Sequence, residues 1–234
     1  MARHARSRGR RGTNLPTLVI IAKTPRLGFA KRRLAAGIGQ TAALRFYRAC
    51  LTHTILRLGG TPRWRTIVAV APDADISAPV WRGMSRGCGV GLLQQGSGDL
   101  GARMQRIFSR LSPAPTMIVG GDIPCLNHAD IADAFVKLRG ADAVLGPATD
   151  GGYWLVGMRG NARRMAPFTG VRWSTGYAFA DTMANLDGRR VALAATRADI
   201  DSVESFRAQR DRAERLVHHT VHGGCNPNRH LIQT

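Results

Sequence analysis

The sequence predicts an α/β domain in which a mostly parallel sheet is covered by helices on both faces. Three observations carry that expectation. Short apolar runs without polar alternation read as strands buried on both sides, residues 15–22 (LPTLVIIA) and 66–71 (TIVAVA) among them. Segments with apolar residues at helical spacing separate those runs. The links between the two kinds of segment are short, as in strand–helix–strand units. With 234 residues, 44% of them hydrophobic, the chain is long enough for one sizeable core.

Taken in order, residues 15–22 form the first strand, and a glycine-bearing loop over 23–39 follows. Residues 40–58 place Leu44, Tyr47, Leu51, Ile55 and Leu58 on one helical face, closed by Gly59-Gly60. Strands are expected at 66–71 and 90–94. A helix over 99–111 carries Leu100, Met104, Ile107, Phe108 and Leu111 on one side. Residues 116–119 are the next strand, and Asn127 is a natural cap for a helix reaching Leu138. Strands at 143–145 and 153–156, a helix over 175–186, a strand at 191–195 and a helix from 202 to about 217 complete the body. Residues 1–14 contain Arg3, Arg6, Arg8, Arg10 and Arg11 and no acid, so a disordered basic arm is expected there. Residues 218–234 hold four histidines and one cysteine without ligand spacing and read as a disordered tail. The domain proper is expected to span 15–217.

Composition bounds the function. No window reaches the roughly 18 consecutive apolar residues that a membrane span needs. Arg10-Arg11 is followed by an apolar stretch too short for an export signal. Cys50, Cys88, Cys125 and Cys225 lie far apart, which indicates neither a disulfide framework nor a zinc site; the reducing cytoplasm is the expected compartment. The net charge of +19 raises the possibility of a non-catalytic nucleic-acid binder. Its arginines are dispersed and only 6% of residues are aromatic, so incidental polyanion binding is the better expectation. Of 34 basic residues only Lys23, Lys31 and Lys137 are lysines, and two of those three share the loop after the first strand. A compact ammonium retained twice in one loop points to contact with phosphate.

Two acids stand out. The run 116–119 ends in Gly120-Gly121-Asp122, and the run 143–145 leads to Asp150-Gly151-Gly152. An apolar strand that delivers a carboxylate into a glycine-flanked loop holds an acid at the open edge of a sheet. Two such acids within thirty residues suggest convergence on one cation or one polyanion, which points to a metal-assisted site. Alternative readings make Asp122 a helix cap and Asp150 a turn residue. His53, on an amphipathic helix, is expected to be structural.

Six motifs occur in an order that resembles a known family. They are AKTPRLGFAKRRL, QGSGDLGARM, GGDIPCL, GPATDGGYWLVG, WST and DIDSVESF, covering about residues 16–207. The pattern is similar to a GT-A-type glycosyltransferase family once labelled a domain of unknown function. That family includes members assigned to arsenosugar biosynthesis and is related to molybdopterin and phospholactate guanylyltransferases. One departure is that the family loop usually continues Lys-Thr-Arg-Leu, where this chain has Lys31-Arg32-Arg33-Leu34.

The resemblance implies a three-layer GT-A-like domain acting as a metal-dependent glycosyltransferase. It would use a nucleoside diphosphate sugar, a small acceptor and Mg²⁺ or Mn²⁺; the runner-up is a nucleotidyltransferase using an NTP. Lys23, Gly28, Lys31 and Arg33 would wrap the nucleotide, and Gly28 would permit close backbone approach. Asp99, Gly101 and Arg103 would offer a helix N-terminus to an anion, with a plain helix cap as the alternative. Asp122 would bind the metal and act catalytically with Asp150. Asp201, or Asp199, would complete the metal shell. Gly151, Gly152, Tyr153, Trp173, Ser174 and Thr175 would face the acceptor, with Ser174 or Thr175 alternatively capping a helix.

Overall fold

The computed structural model describes residues 15–29, 31–123, 126–160 and 165–197. The basic arm, the expected last helix, the tail, Asp199 and Asp201 lie outside them.

In chain order the strands are β1 (Thr17–Lys23), β2 (Arg65–Ala71), β3 (Gly91–Gln94), β4 (Thr116–Gly120), β5 (Ala143–Pro147), β6 (Tyr153–Met158) and β7 (Val191–Leu193). The helices are α1 (Arg32–Ile38), α2 (Gln40–Leu58), α3 (Pro79–Ser85), α4 (Leu100–Leu111), α5 (His128–Gly140) and α6 (Ala178–Asn185). One sheet runs β3-β2-β1-β4-β6-β5-β7. Its register aligns the carboxyl ends of β1, β2 and β4, with Lys23 opposite Ala71 and Ile21 opposite Gly120.

Both faces of the sheet are covered, as the unbroken apolar strands require. Leu18 and Ile20 of β1 pack with Leu51 and Ile55 of α2, Trp81 of α3 and Ile131 of α5. Val19 points the other way, toward Met104, Ile107 and Phe108 of α4. Strand alternation therefore divides one apolar run between two cores. Helix α5 begins with a capping box: the Asn127 side chain accepts from the amides of Ala129 and Asp130, and the Asp130 carboxylate accepts from the Asn127 amide.

The structure departs from the sequence-based expectation in three places and adds the direction of one strand. The segment 23–39 is not all loop, because α1 occupies its second half. That helix is only seven residues long and buries one side chain, Leu34, so it leaves no periodic stripe. Between β2 and β3 lie a 3₁₀ turn (Asp73–Ser77) and α3, anchored by the fully buried Trp81. Strand β6 is antiparallel to both β4 and β5. Five residues joining β5 to β6 are too few for a parallel crossover, so a hairpin forms instead. Finally α6 starts at Ala178 and not near 175. Ser174 sits in the left-handed region with φ 61, and the Thr175 hydroxyl is engaged in a local turn.

Candidate active site

The carboxyl ends of β1, β4 and β5 converge on one cleft. At the end of β1 the Lys23 main chain is fixed by Tyr47 of α2. Its hydroxyl accepts from the Lys23 amide at 3.0 Å and donates to the Lys23 carbonyl at 2.8 Å. Burial, and then the negative charge of Asp122, push the Tyr47 hydroxyl above its ordinary pKa, while the hydrogen bond to the Lys23 backbone opposes them. The loop beyond turns at Gly28 (φ 76) and is tied to the 3₁₀ turn by an ion pair between Arg26 and the buried Asp75. Lys31 then starts α1 in a left-handed conformation (φ 53), which is strained for a residue with a β-carbon.

Lys31 reaches across to β4. Its ammonium lies 2.7 Å from Asp122 Oδ2; the Lys31 side chain is 2% exposed and that of Asp122 33% exposed. Asp122 is placed by Gly121, whose amide donates to the Ile21 carbonyl at 3.2 Å. A β-carbon on Gly121 would come within 2.7 Å of the buried Leu51 Cδ1 of α2, so any larger residue here has to push that side chain aside. The Asp122 carboxylate does not cap α5, since Asn127 does that with Asp130.

The third wall is the hairpin between β5 and β6. Asp150 at its tip accepts from the Gly152 amide at 2.9 Å, which is turn behaviour, and it also faces the cleft. Gly151 (φ 83) lies so close to Gly176 that a β-carbon would meet the Gly176 carbonyl oxygen at 2.2 Å. It therefore buttresses the hairpin against the loop before α6, reinforced by the Phe179 amide bonding the Gly151 carbonyl at 3.0 Å. Behind the hairpin, the Arg197 main chain exchanges hydrogen bonds with Pro147 and Thr149, while its guanidinium pairs with Asp130. One residue thus links the Asp150 loop to the start of α5, just after the Asp122 loop. Trp173 packs edge-on to Tyr153 at 6.3 Å and lies against Gly101. Burial raises the Tyr153 pKa, with the nearby Thr182 hydroxyl opposing.

The cleft measures about 750 Å³. Lys23, Lys31 and Arg33 line it together with Asp122 and Asp150. Gly152, Tyr153, Trp173, Ser174 and Thr175 form its other side. A recess of about 240 Å³ shares Lys23, Lys31 and Asp122 and adds Tyr47, Gln95 and Arg103.

Three of the expected nucleotide contacts are placed differently. Asp99 caps α4 through the Ala102 amide at 2.8 Å. Asp99 and Gly101 border a neighbouring depression with Gln105 and Phe168, and Gly101 leaves room for Trp173. Gly28 is a turn residue with open space around it, whereas its neighbour Phe29 lines the cleft. Gly151, expected to face the acceptor, packs against Gly176.

Sequence reasoning also passed over several groups. Tyr47 looks like one more apolar stripe position. Gln95 is buried and donates to the carbonyls of Ala22 and Ala69 at 2.9 and 2.7 Å, joining β1 to β2. The Arg197–Asp130 pair spans 67 residues and leaves no local signal.

Among the described residues no three His, Cys, Asp or Glu side chains cluster as a metal cage. Two carboxylates nevertheless share a cleft with room for water. Hard oxygen donors of that kind suit Mg²⁺ or Mn²⁺, which keep much of their hydration.

Sequence comparison now gives the chain its class. Residues 54–175, more than half of the chain, match the family described as "Uncharacterized protein conserved in bacteria (DUF2064)", and the chain belongs to that family. A protein from Desulfovibrio desulfuricans G20, assigned as a nucleotide-diphospho-sugar transferase, shares the fold with a TM-score of 0.72 and 24% identity. That match covers 80% of this chain and 83% of the other. A 4-diphosphocytidyl-2C-methyl-D-erythritol synthase from Anaerococcus prevotii DSM 20548 aligns with a TM-score of 0.57 and 11% identity, over 86% and 98% of the two chains. A nucleotidyl transferase from Methanothermobacter aligns with a TM-score of 0.56 and 16% identity, over 87% and 99%. The fold is therefore that of the GT-A and nucleotidyltransferase group. No curated protein matches the sequence. No helix among the described residues is long and apolar enough to cross a membrane.

Proposed function

We propose that the chain is a metal-dependent transferase that moves a glycosyl group from a nucleoside diphosphate sugar to a small acceptor. The observation that carries this reading is the single cleft in which Lys23, Lys31 and Arg33 meet Asp122 and Asp150. Its volume of about 750 Å³ is in the range of sites for nucleotide-sized ligands. The three cations are assigned to the diphosphate. Asp122 is assigned to hold the divalent ion, with Asp201 as a further ligand. When bound, that ion supplies Lewis-acid stabilisation to the departing diphosphate. The bond from the anomeric carbon to the diphosphate oxygen breaks, and a bond to the acceptor oxygen forms. The acceptor's hydroxyl proton passes to a basic oxygen, for which Asp150 is assigned. Tyr153 and Trp173 offer an apolar platform for the acceptor, and Ser174 and Thr175 lie beside it.

A nucleotidyl transfer requires the same carboxylates and cations, and the fold neighbours include proteins named for that chemistry. In that reaction a phosphorylated acceptor attacks the α-phosphorus of an NTP and pyrophosphate leaves. A thermal-shift screen with Mn²⁺ separates the two. A ligand at about 100 times its dissociation constant adds roughly 2.7 kcal/mol of stability. Stabilisation by nucleoside diphosphate sugars and not by NTPs is expected. The reverse result selects nucleotidyl transfer, and no response to either class overturns both.

A further inference from the structure

We propose that Lys31 is the resident counter-ion of Asp122, and that the carboxylate accepts a divalent cation only as a nucleotide's phosphates draw the Lys31 ammonium away. The inference rests on the assignment of Asp122 to the cation and concerns how admission of that cation is controlled. Lys31 Nζ already sits 2.7 Å from Asp122 Oδ2, so a cation ligated by that oxygen has to displace it. The pair is asymmetric: the Lys31 side chain is 2% exposed and the Asp122 side chain 33% exposed, so the acid is the more open of the two to an incoming ion. Lys31 is the N-cap of α1 and holds a left-handed backbone (φ 53), so its side chain leaves from the start of that helix.

Charge in the recess works in the same direction. Lys23, Lys31 and Arg103 line it with Asp122. Among the described residues the recess sets one carboxylate against three cationic side chains, a balance that disfavours a dication until a polyanion arrives. A diphosphate changes the balance, because its oxygens offer Lys31 a new partner and supply further ligands to the ion. Binding of phosphate and of cation to this one acid must then be coupled, and the coupling is reciprocal. The sequence showed a phosphate-type lysine and a metal-type acid as separate features. The structure brings them together as competitors and makes Lys31 a positioning residue for the cation as well as a phosphate ligand.

The test measures Mn²⁺ binding to the full chain without nucleotide, by electron paramagnetic resonance of the free ion. Wild type, Lys31→Met and Asp122→Asn are compared, and the titrations are repeated with a nucleoside diphosphate. Wild type should bind weakly alone and gain about tenfold or more with the nucleotide. Lys31→Met should bind about tenfold or more tightly without nucleotide and lose most of that gain. A variant combining Lys31→Met with Asp122→Asn should return to weak binding. Lys31→Gly suits the left-handed backbone and serves as the second charge-removing variant should Met not fold. The proposal is overturned if both Lys31 variants bind Mn²⁺ no better than wild type while Asp122→Asn still abolishes binding. If Mn²⁺ binds nowhere, even with nucleotide, the metal assignment itself fails and takes this inference with it.

Discussion

Replacing Asp122 with Asn preserves size and a side-chain oxygen and removes one charge. That charge serves one group in the structure and one proposed for it. The first is Lys31, whose side chain is 2% exposed. Deleting one partner of a fully buried pair costs about 3–5 kcal/mol. Asp122 is itself a third exposed, so solvent screening lowers the expected loss to about 1–2 kcal/mol. For a domain of this size each kcal/mol moves Tm by about 2–4 °C, so Tm should fall by about 2–8 °C. The second is the assigned cation. Losing about 3 kcal/mol of leaving-group stabilisation lowers turnover by roughly two orders of magnitude. The two effects are separated by measuring Tm by calorimetry and turnover well below both melting points. Because Asn127 and Asp130 already cap α5, lost capping cannot account for either change. An unchanged Tm together with near-normal turnover would refute both the ion pair's contribution and the catalytic assignment.

Three further outcomes are expected. Tyr47→Phe deprives the Lys23 amide and carbonyl of their shared partner and should cost about 1–3 kcal/mol in urea unfolding. It should also weaken nucleoside diphosphate binding more than nucleoside binding, and equal effects on both ligands would sink the positioning role. Gly151→Ala combines a left-handed φ of 83 with a contact of 2.2 Å to the Gly176 oxygen, so a loss of about 2–4 kcal/mol is expected. A variant as stable as wild type would show that the hairpin is not held there. Asp181 is hydrogen-bonded by Arg172, which lowers its pKa from 3.8 to about 2. A folded-state pKa below the unfolded value means that this stabilisation is present above pH 3.8 and lost as pH falls through about 2. The Tm difference between wild type and Asp181→Asn should therefore be constant above that range and close within it; a gap that persists at the acid end contradicts the assignment.

How much was legible in advance followed from the range over which each signal acts. Helix α2 runs from Gln40 to Leu58, the limits its apolar spacing and terminal glycines mark. The buried strands β1, β2 and β4 were visible as apolar runs, and Asn127 announced the cap of α5. These are local codes, written in side-chain periodicity and cap chemistry within one window of sequence. The acids Asp122 and Asp150 were legible for the same reason, as breaks in apolar runs.

Tertiary structure decided what depends on which segments meet. Seven residues burying one leucine do not betray α1, and nothing in the apolar run 153–156 says that its strand runs antiparallel. The hairpin becomes necessary only when its link proves too short to cross the sheet. That Gly151 packs against Gly176, and Gly101 against Trp173, is likewise visible only once those segments are brought together. Lys31 and Asp122 lie 91 positions apart in the chain and form one ion pair only because β4 lies beside β1. The sequence by itself determined which side chains carry charge and which segments are strands or helices, because those depend on neighbours along the chain. The pairing of those charges, the orientation of β6 and the shape of the cleft were decided by the order of strands in the sheet, which no local window contains.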